Sequence, residues 1–596
     1  MYYPSLRKKA AQQLVTNTFA GLNRAEKIGD GEWHEAMNLS TREYPMLCPR
    51  KPRGTVRTLS APAGMIAKER LCWIDGATVY YGGAAVAGIS VSTDAGMLPK
   101  RLVSMGAYVL IFPDKVYFNT IDFTDCGSME GSFTTSGTVQ YRICRLDGSD
   151  FENITVSDTE PQDPENGDYW LDTGVENHRL MLYSAYNGYW QQVLTVYVRV
   201  IAPGIGVNFE IGDTVELSGI EAGAEADESL QKQLADLNGS HYIYNKTDNS
   251  LTIVGLVDTE YSQTEGTVAA QRNVPDMEFV IESENRLWGC HYGKDAEGNT
   301  LNELYACKLG DFKNWRVYQG ISTDSYTVSI GSDGPFTGAI TYGGYPMFFK
   351  QDCVHKVFGA QPKNFQVMTT QLRGVQEGSD RSLCIVDGVL LYLSSTGVEA
   401  YEGSLPVCIS GALGDRARCN GVAGSLGSRY YISVMEENVQ RLYVYDQKTN
   451  IWLEETAINA MAFVRLYDEL YALDEDNGKM ITMQGSVGTS EGEVEWSAET
   501  GLMGWEVVDQ KYLTRYNVRA VIPPEGRINI YLQYDSTGTW RQKMQYISQA
   551  QTTRTVLMPV YPRRCDHLRM RISGQGEVKV YSIARVLTSG GDGQRG

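Results

Sequence analysis

The sequence predicts an all-β chain. Its largest part is a β-propeller of about seven hairpin blades, with a small β-rich domain inserted into it and a β-sandwich at its C-terminal end. Three observations lead there. Apolar residues come in short runs between Gly, Asp and Asn, and sustained helical periodicity is nearly absent. The 596 residues include 61 Gly and 37 Tyr, the first supplying turns and the second suiting half-buried strands with a wet tip. A unit of strand, tight turn and strand recurs about seven times at a spacing of roughly 40–50 residues, which is the mark of a propeller.

The first clear unit is Arg70–Tyr80, where Asp75-Gly76 marks the turn because Gly takes positive φ without a Cβ clash. Its echoes are Tyr108–Phe118, Leu287–Gly293 with Leu304–Cys307, and Pro346–Phe349 with Val354–Phe358. They continue with Val389–Tyr401, Tyr430–Val434 with Arg441–Tyr445, and Leu470–Leu473 with Lys479–Thr482. In the first unit Leu71, Trp73 and Ile74 are expected to pack the blades together.

A chain this long needs several cores. Residues 1–53 read as an extended arm with one short helix over Leu6–Leu14. The arm has too few apolar residues to fold alone, so it packs either on its own propeller or on a neighbouring subunit. Residues 54–128 hold the first propeller units. Residues 129–275 break the pattern and read as the insert, perhaps of two small parts. It contains the strand Thr195–Ile201 and the best helix of the chain, Asp227–Leu237, with Leu230, Leu234 and Leu237 on one face. The propeller resumes over 276–485. Residues 490–588 read as the sandwich, where Leu568, Met570 and Ile572 alternate with Arg569 and Arg571. Residues 589–596 are a Gly-rich tail.

The formal net charge is −19, and it is uneven. Residues 131–275 hold 7 Lys+Arg against 22 Asp+Glu, whereas residues 1–60 hold 10 basic and 5 acidic side chains. A chain this acidic is a poor candidate for gripping phosphate. The 11 Cys are scattered without a C-x-x-C pair, and Cys72, Cys290, Cys307 and Cys384 sit in apolar strand runs. That pattern and the polar Met1–Lys9 start lead to the expectation of a protein folded in a reducing cytosol. No run approaches the roughly 20 apolar residues of a membrane helix.

Chemistry is hard to find. The six histidines, at 34, 178, 241, 291, 355 and 567, show no metal-ligand spacing, and there is no nucleophile elbow or phosphate loop. Asp474–Gly478 is an incomplete calcium series and reads as a hairpin turn. Tyr534–Trp540 approaches the Asp-box turn of sialidases, with its Gly one place late. A propeller glycosidase needs two carboxylates about 5–10 Å apart near its axis, and nothing in the sequence points to such a pair. The reading is therefore of a non-enzyme with no catalytic, cofactor-binding or metal residues and no cofactor.

The ends of the chain carry a resemblance. Gly21-Leu-Asn23, Ile28–Glu32, Met37–Ser40 and Tyr44–Arg50 resemble the opening of virion proteins of bacteriophages and prophages. Trp496-x-x-Glu-Thr-Gly501, Tyr534–Trp540 and Pro562–His567 look like the same group. The overall plan is similar to the tail hub or nozzle proteins of short-tailed phages. The resemblance implies a structural virion protein, synthesised in the host cytoplasm. It would form a ring, usually of six copies, that extends the DNA-ejection channel below the portal or adaptor. It implies contacts with portal or adaptor and with tail fibre or other tail proteins, and transient, non-specific passage of genomic DNA. An acidic surface suits a channel through which DNA slides. The alternative is a receptor-binding or adhesin propeller for bacterial cell-wall glycan, with Tyr186, Tyr189 and Trp190 as sugar platforms.

Overall fold

The computed structural model describes residues 11–223, 226–295, 297–504, 510–558 and 563–589. The chain is all-β, with a propeller of seven blades, an insert and a C-terminal sandwich. Each of the seven hairpins read from the sequence supplies the two middle strands of one blade. Blade one, for example, is Pro62–Ala67, Leu71–Asp75, Thr78–Tyr81 and Ala84–Ala85. Its turn is Gly76-Ala77, with Gly76 at φ 59°.

The alternation of the middle strands explains why the blades stack. Successive side chains of a strand point to opposite faces, so each blade feeds two interfaces. Trp73 packs toward the seventh blade with Tyr471 and Leu473, while Ile74 packs toward the second with Val109 and Ile111. Leu390 faces Phe349 of blade four, and Leu391 joins Tyr430 and Ile432 of blade six. Leu470 faces Tyr431 and Val444, and Tyr471 turns to Met65. The inner strand of blade seven, Ala460–Leu466, lies between Arg418–Leu426 and Pro62–Ala67, so the ring closes.

Closure draws on the N-terminal side of the chain. Gly54–Thr58, grouped by sequence with the first units, pairs instead with Lys479–Thr482 as the outer strand of blade seven. Joining the two ends of the ring through backbone hydrogen bonds satisfies an edge that would otherwise be open.

The insert leaves after blade two. Gly131–Thr135, Val268–Arg272, Thr214–Ser218 and Gly239–Tyr242 form one sheet, and a five-stranded sheet packs on it. The helix is Glu228–Ala235. The Asp227 carboxylate caps it by accepting from the Leu230 amide, and Leu230, Leu234 and Leu237 are buried. A smaller sheet, from Ile154–Ser157 to Tyr189–Gln192, has its own minimal core of Trp170, Met181 and Trp190.

The described part of the arm packs on its own chain. Glu35–Met37 slots between Ile451–Glu455 of blade six and Glu495–Glu499 of the sandwich, and the result is one nine-stranded sheet crossing from propeller to sandwich. Ala11–Thr16 is a strand paired with Lys579–Ser589. The expected helix over Leu6–Leu14 is thus corrected for Ala11–Leu14, where a ladder to the last strand outweighs local helix preference; residues 1–10 lie outside the described residues. So do residues 590–596 of the expected tail. The sandwich core combines Val518, Ile522, Ile530, Leu532, Met570, Ile572 and Ile583, with the alternation expected at Leu568, Met570 and Ile572.

Candidate functional site

Ligand sites of propellers form where the inner strands converge on the axis. Here those strands leave a cavity of about 280 Å³, walled by Met65, Leu102, Val103, Val280, Leu383, Val422, Met461 and Phe463. Blades one and two approach closely at its edge. A Cβ on Gly64 would lie 2.8 Å from Leu102 Cδ1 and 3.1 Å from the Lys100 carbonyl oxygen, so only glycine fits without a shift.

The wall also carries Lys100, which pairs with Asp114 at 2.7 Å, and two guanidinium groups. Arg101 donates from Nη1 to Asp380 Oδ2 at 2.7 Å, and its guanidinium carbon lies 4.4 Å from the Phe279 ring centre. Arg381 donates to the Met461 carbonyl at 2.9 Å, and burial pushes its pKa down from the ordinary value. The described lining carries no carboxylate; Asp380 is reached through Arg101. The arrangement places positive charge on a wall of mixed polar and apolar groups, which suits an anionic group. The sequence reading missed Arg101, Asp380 and Arg381. Lys100-Arg101 and Asp380-Arg381 at the borders of apolar strands were the signal.

The sequence-singled residues fall apart in space. His355 is fully buried between the hydroxyls of Ser332 and Thr369, each 2.9 Å away, and burial, then Lys350, pushes its pKa down to about 4. Burial likewise lowers His241 and His34. His291 faces Glu278 at 3.1 Å, and His567 meets Asp566 at 3.0 Å. Among the described residues no His, Cys, Asp or Glu grouping could hold a metal. Asp474–Gly478 is a turn in which Asp474 accepts from the Asp476 amide and from Asn477. The cysteines are free, and burial pushes the Cys72 and Cys307 thiols up to about 12, which keeps them protonated and unreactive.

In the insert, His178 Nδ1 lies 2.8 Å from Asp258 Oδ2 and 3.5 Å from Ser229 Oγ, beside a cavity of about 390 Å³. Both partners meet the same ring nitrogen. A relay needs the hydroxyl on one nitrogen and the carboxylate on the other, so the cluster is a polar latch. Tyr186 is 97 % exposed and Tyr189 57 %, whereas Trp190 is buried against Trp170 and Tyr183.

No protein-family model matches the sequence, and no curated protein matches it. Among solved structures, the chain is similar to PorZ, a surface component of the type-IX secretion system of Porphyromonas gingivalis. That match has 10 % identity and a TM-score of 0.25, covering 88 % of this chain and 82 % of that one. It is also similar to an exo-β-1,3-galactanase from Phanerochaete chrysosporium, at 9 % identity and a TM-score of 0.20, over 52 % of this chain and 95 % of that one. A family 43 arabinoxylan arabinofuranohydrolase from Bacillus subtilis matches at 8 % identity and a TM-score of 0.16, over 51 % of this chain and 94 % of that one. Likeness at these scores concerns fold and carries no argument about substrate. The expectation of a non-enzyme is nonetheless corrected: the propellers brought up by the comparison include glycoside hydrolases, and that expectation is withdrawn.

Proposed function

We propose that the chain is a structural protein that assembles into a closed ring of copies, in the manner of the tail hub or nozzle proteins its ends resemble. The observation that supports this most is the nine-stranded sheet. It runs without a break from blade six through the arm strand Glu35–Met37 into the sandwich, so propeller and sandwich are joined by main-chain hydrogen bonds rather than by a linker. The axial cavity of about 280 Å³ is far too small for a duplex. Any DNA passage belongs to the centre of a ring of copies, with six the expected number, portal or adaptor above it and fibre proteins beside it. The acidic insert would be displayed from that ring. The solved structures named above are not tail proteins, so the reading rests on the sequence resemblance and this architecture.

The test is mass photometry and negative-stain microscopy of the full chain over a concentration series. Rings with a central opening are expected. A monomer at every concentration, together with absence of the protein from purified virions, overturns the reading.

A second reading is glycan recognition on a bacterial surface, supported by the Tyr186 and Tyr189 rings, which stand in solvent at the tip of the small insert sheet. A cell-wall pull-down that Tyr186→Ala and Tyr189→Ala weaken would support it; retention unaffected by both would remove it.

A further inference from the structure

A second concave surface lies far from the axis, on the sandwich side of the nine-stranded sheet. Three neighbouring strands there are in register. Ser497, Ser573 and Asn529 form one row across the sheet, flanked by a row of Glu495, Gln575 and Arg527 and a row of Glu499, Arg571 and Tyr531. These nine positions share the face opposite Trp496, Ile528, Ile530 and Ile572, which fill the core. The middle row is short and the outer rows are long, so the face is dished. The arm closes one end with Asn38 and Arg50, and the resulting trough has a volume of about 600 Å³.

Its chemistry is mixed and mildly acidic. Hydroxyls of Ser497 and Ser573 and the Asn529 amide make the floor. Arg527 and Glu495 stand 3.5 Å apart on one wall, Arg50 pairs with Glu491 at the arm end, and Glu493 adds a third carboxylate. The lining holds three carboxylates against two guanidinium groups, each already paired, so the trough does not favour an anion. Three lining residues have a buried polar atom without a partner in the protein: Asn529 at Oδ1, Arg527 at Nε and Trp496 at Nε1. Asn529 is 7 % exposed, yet its Oδ1 has no hydrogen-bond partner in the protein. A buried amide oxygen without a donor costs about 1–3 kcal/mol, and a donor brought by a ligand removes that cost. The back of the site is fixed as well. Trp496 packs under the sheet so closely that a Cβ on Gly574 would lie 2.4 Å from its ring.

Alternating donors and acceptors, no unpaired guanidinium for an anion, an aromatic edge at Tyr531 and a volume within the roughly 300–1,000 Å³ of ligand sites describe a surface for a neutral, hydroxyl-rich molecule. We propose that the trough binds a short neutral oligosaccharide, with Asn529 Oδ1 accepting from a sugar hydroxyl and Ser497, Ser573, Glu495 and Arg527 completing the contacts. The proposal is independent of ring formation, and its glycan site on the sandwich is separate from the Tyr186 and Tyr189 rings of the insert.

The test is titration calorimetry of the full chain against maltohexaose, cellohexaose, laminarihexaose and chitohexaose. At least one is expected to bind with a Kd below about 1 mM, and Ser573→Tyr, which fills the floor, should weaken it at least about tenfold. Asn529→Ala serves as a second variant should Ser573→Tyr fail to fold, and thermal melts of both control for that. Tyr186→Ala should leave this binding unchanged. No binding by any of the four sugars overturns the proposal, as does binding unaffected by the trough variants or abolished by Tyr186→Ala alone.

Discussion

Neighbouring blades are joined through apolar side chains, whereas the arm, blade six and the sandwich are joined through buried charge as well. Between blades six and seven, Tyr431, Leu442 and Val444 meet Leu470 and Ala472. At the seam, Arg24 reaches Glu436 at 3.1 Å, Glu454 at 2.7 Å and the Tyr443 hydroxyl at 2.7 Å. Arg418 holds the other oxygen of Glu436 at 2.8 Å, and Arg53 holds Glu455 at 2.9 Å. Apolar contact is non-directional and suits a unit that repeats. A buried ion pair is unforgiving, because a misplaced arm leaves Arg24 desolvated without its carboxylates and takes one cation from Glu436 and Glu454, which keep Arg416, Arg418 and Arg441. The blades gain cohesion from area; the seam gains one docking geometry from charge.

The sharpest way to break this contrast is to remove one partner at the seam. Glu436→Ala leaves Arg418 without a carboxylate and takes one of two from Arg24. A loss of about 3–5 kcal/mol is expected, read as a lower urea midpoint of the propeller–sandwich transition. The isosteric Glu436→Gln, which keeps the hydrogen bond from Tyr443, should lose less. A loss below about 1 kcal/mol for Glu436→Ala would mean that the seam is held by its apolar contacts instead.

Acid should act on the same place. Burial pushes the Glu436 carboxyl up, but the Tyr443 hydrogen bond and the Arg418 and Arg24 charges outweigh it and hold its pKa below the ordinary value. Glu491 is shifted the same way, with burial opposed by Arg50 and by the Arg53 amide. A depressed carboxylate binds fewer protons in the folded state than in the unfolded one. Its stabilisation is therefore present above the ordinary Glu value of about 4.3 and is lost as pH falls through the lower folded value. Below about pH 4.3 the melting temperature should fall more steeply for the wild type than for Glu436→Gln. Equal slopes would place the acid sensitivity elsewhere.

At a blade interface the expected effect is somewhat smaller. Leu470 is fully buried between blades six and seven, and Leu470→Ala should cost about 3 kcal/mol as lost transfer energy plus a cavity. Unlike the seam variant, it should show no added dependence on pH or salt.

The same contrast decides what the sequence revealed. The seven hairpins were legible because each pairs neighbours such as Thr78 with Asp75 across a tight turn, and because alternation such as Trp73 against Ile74 needs only local context. The helix after Asp227 and the alternating Leu568–Ile572 strand were legible for the same reason. The arm was not. Met37 pairs with Glu454, and Gly54–Thr58 with Lys479–Thr482, across more than four hundred residues, and nothing local in Glu35-Ala36-Met37 reveals a strand between two domains. The axial charges were equally hidden. Arg101 and Asp380 come from blades two and five, and their meeting is a property of the closed ring.

The insert lies between these extremes, and its weakest joint gives the smallest effect. The sheet from Ile154 to Gln192 buries little beyond Trp170, Met181 and Trp190, too small a core to order it firmly alone. His178 follows its second strand and ties it to the main insert through Asp258, while Gln233 on the helix donates to the same Asp258 oxygen at 3.1 Å and accepts from the Asp258 amide at 3.0 Å. His178→Ala removes one member of this latch and leaves Gln233 to satisfy Asp258, so the cost should be about 0.5–1.5 kcal/mol and local. Hydrogen exchange should quicken for amides of residues 154–192 with the blades unchanged, since no blade packs on the small core. Unchanged exchange in that stretch would show that the apolar contacts alone fix the small sheet, and the insert would then resemble the blades rather than the seam.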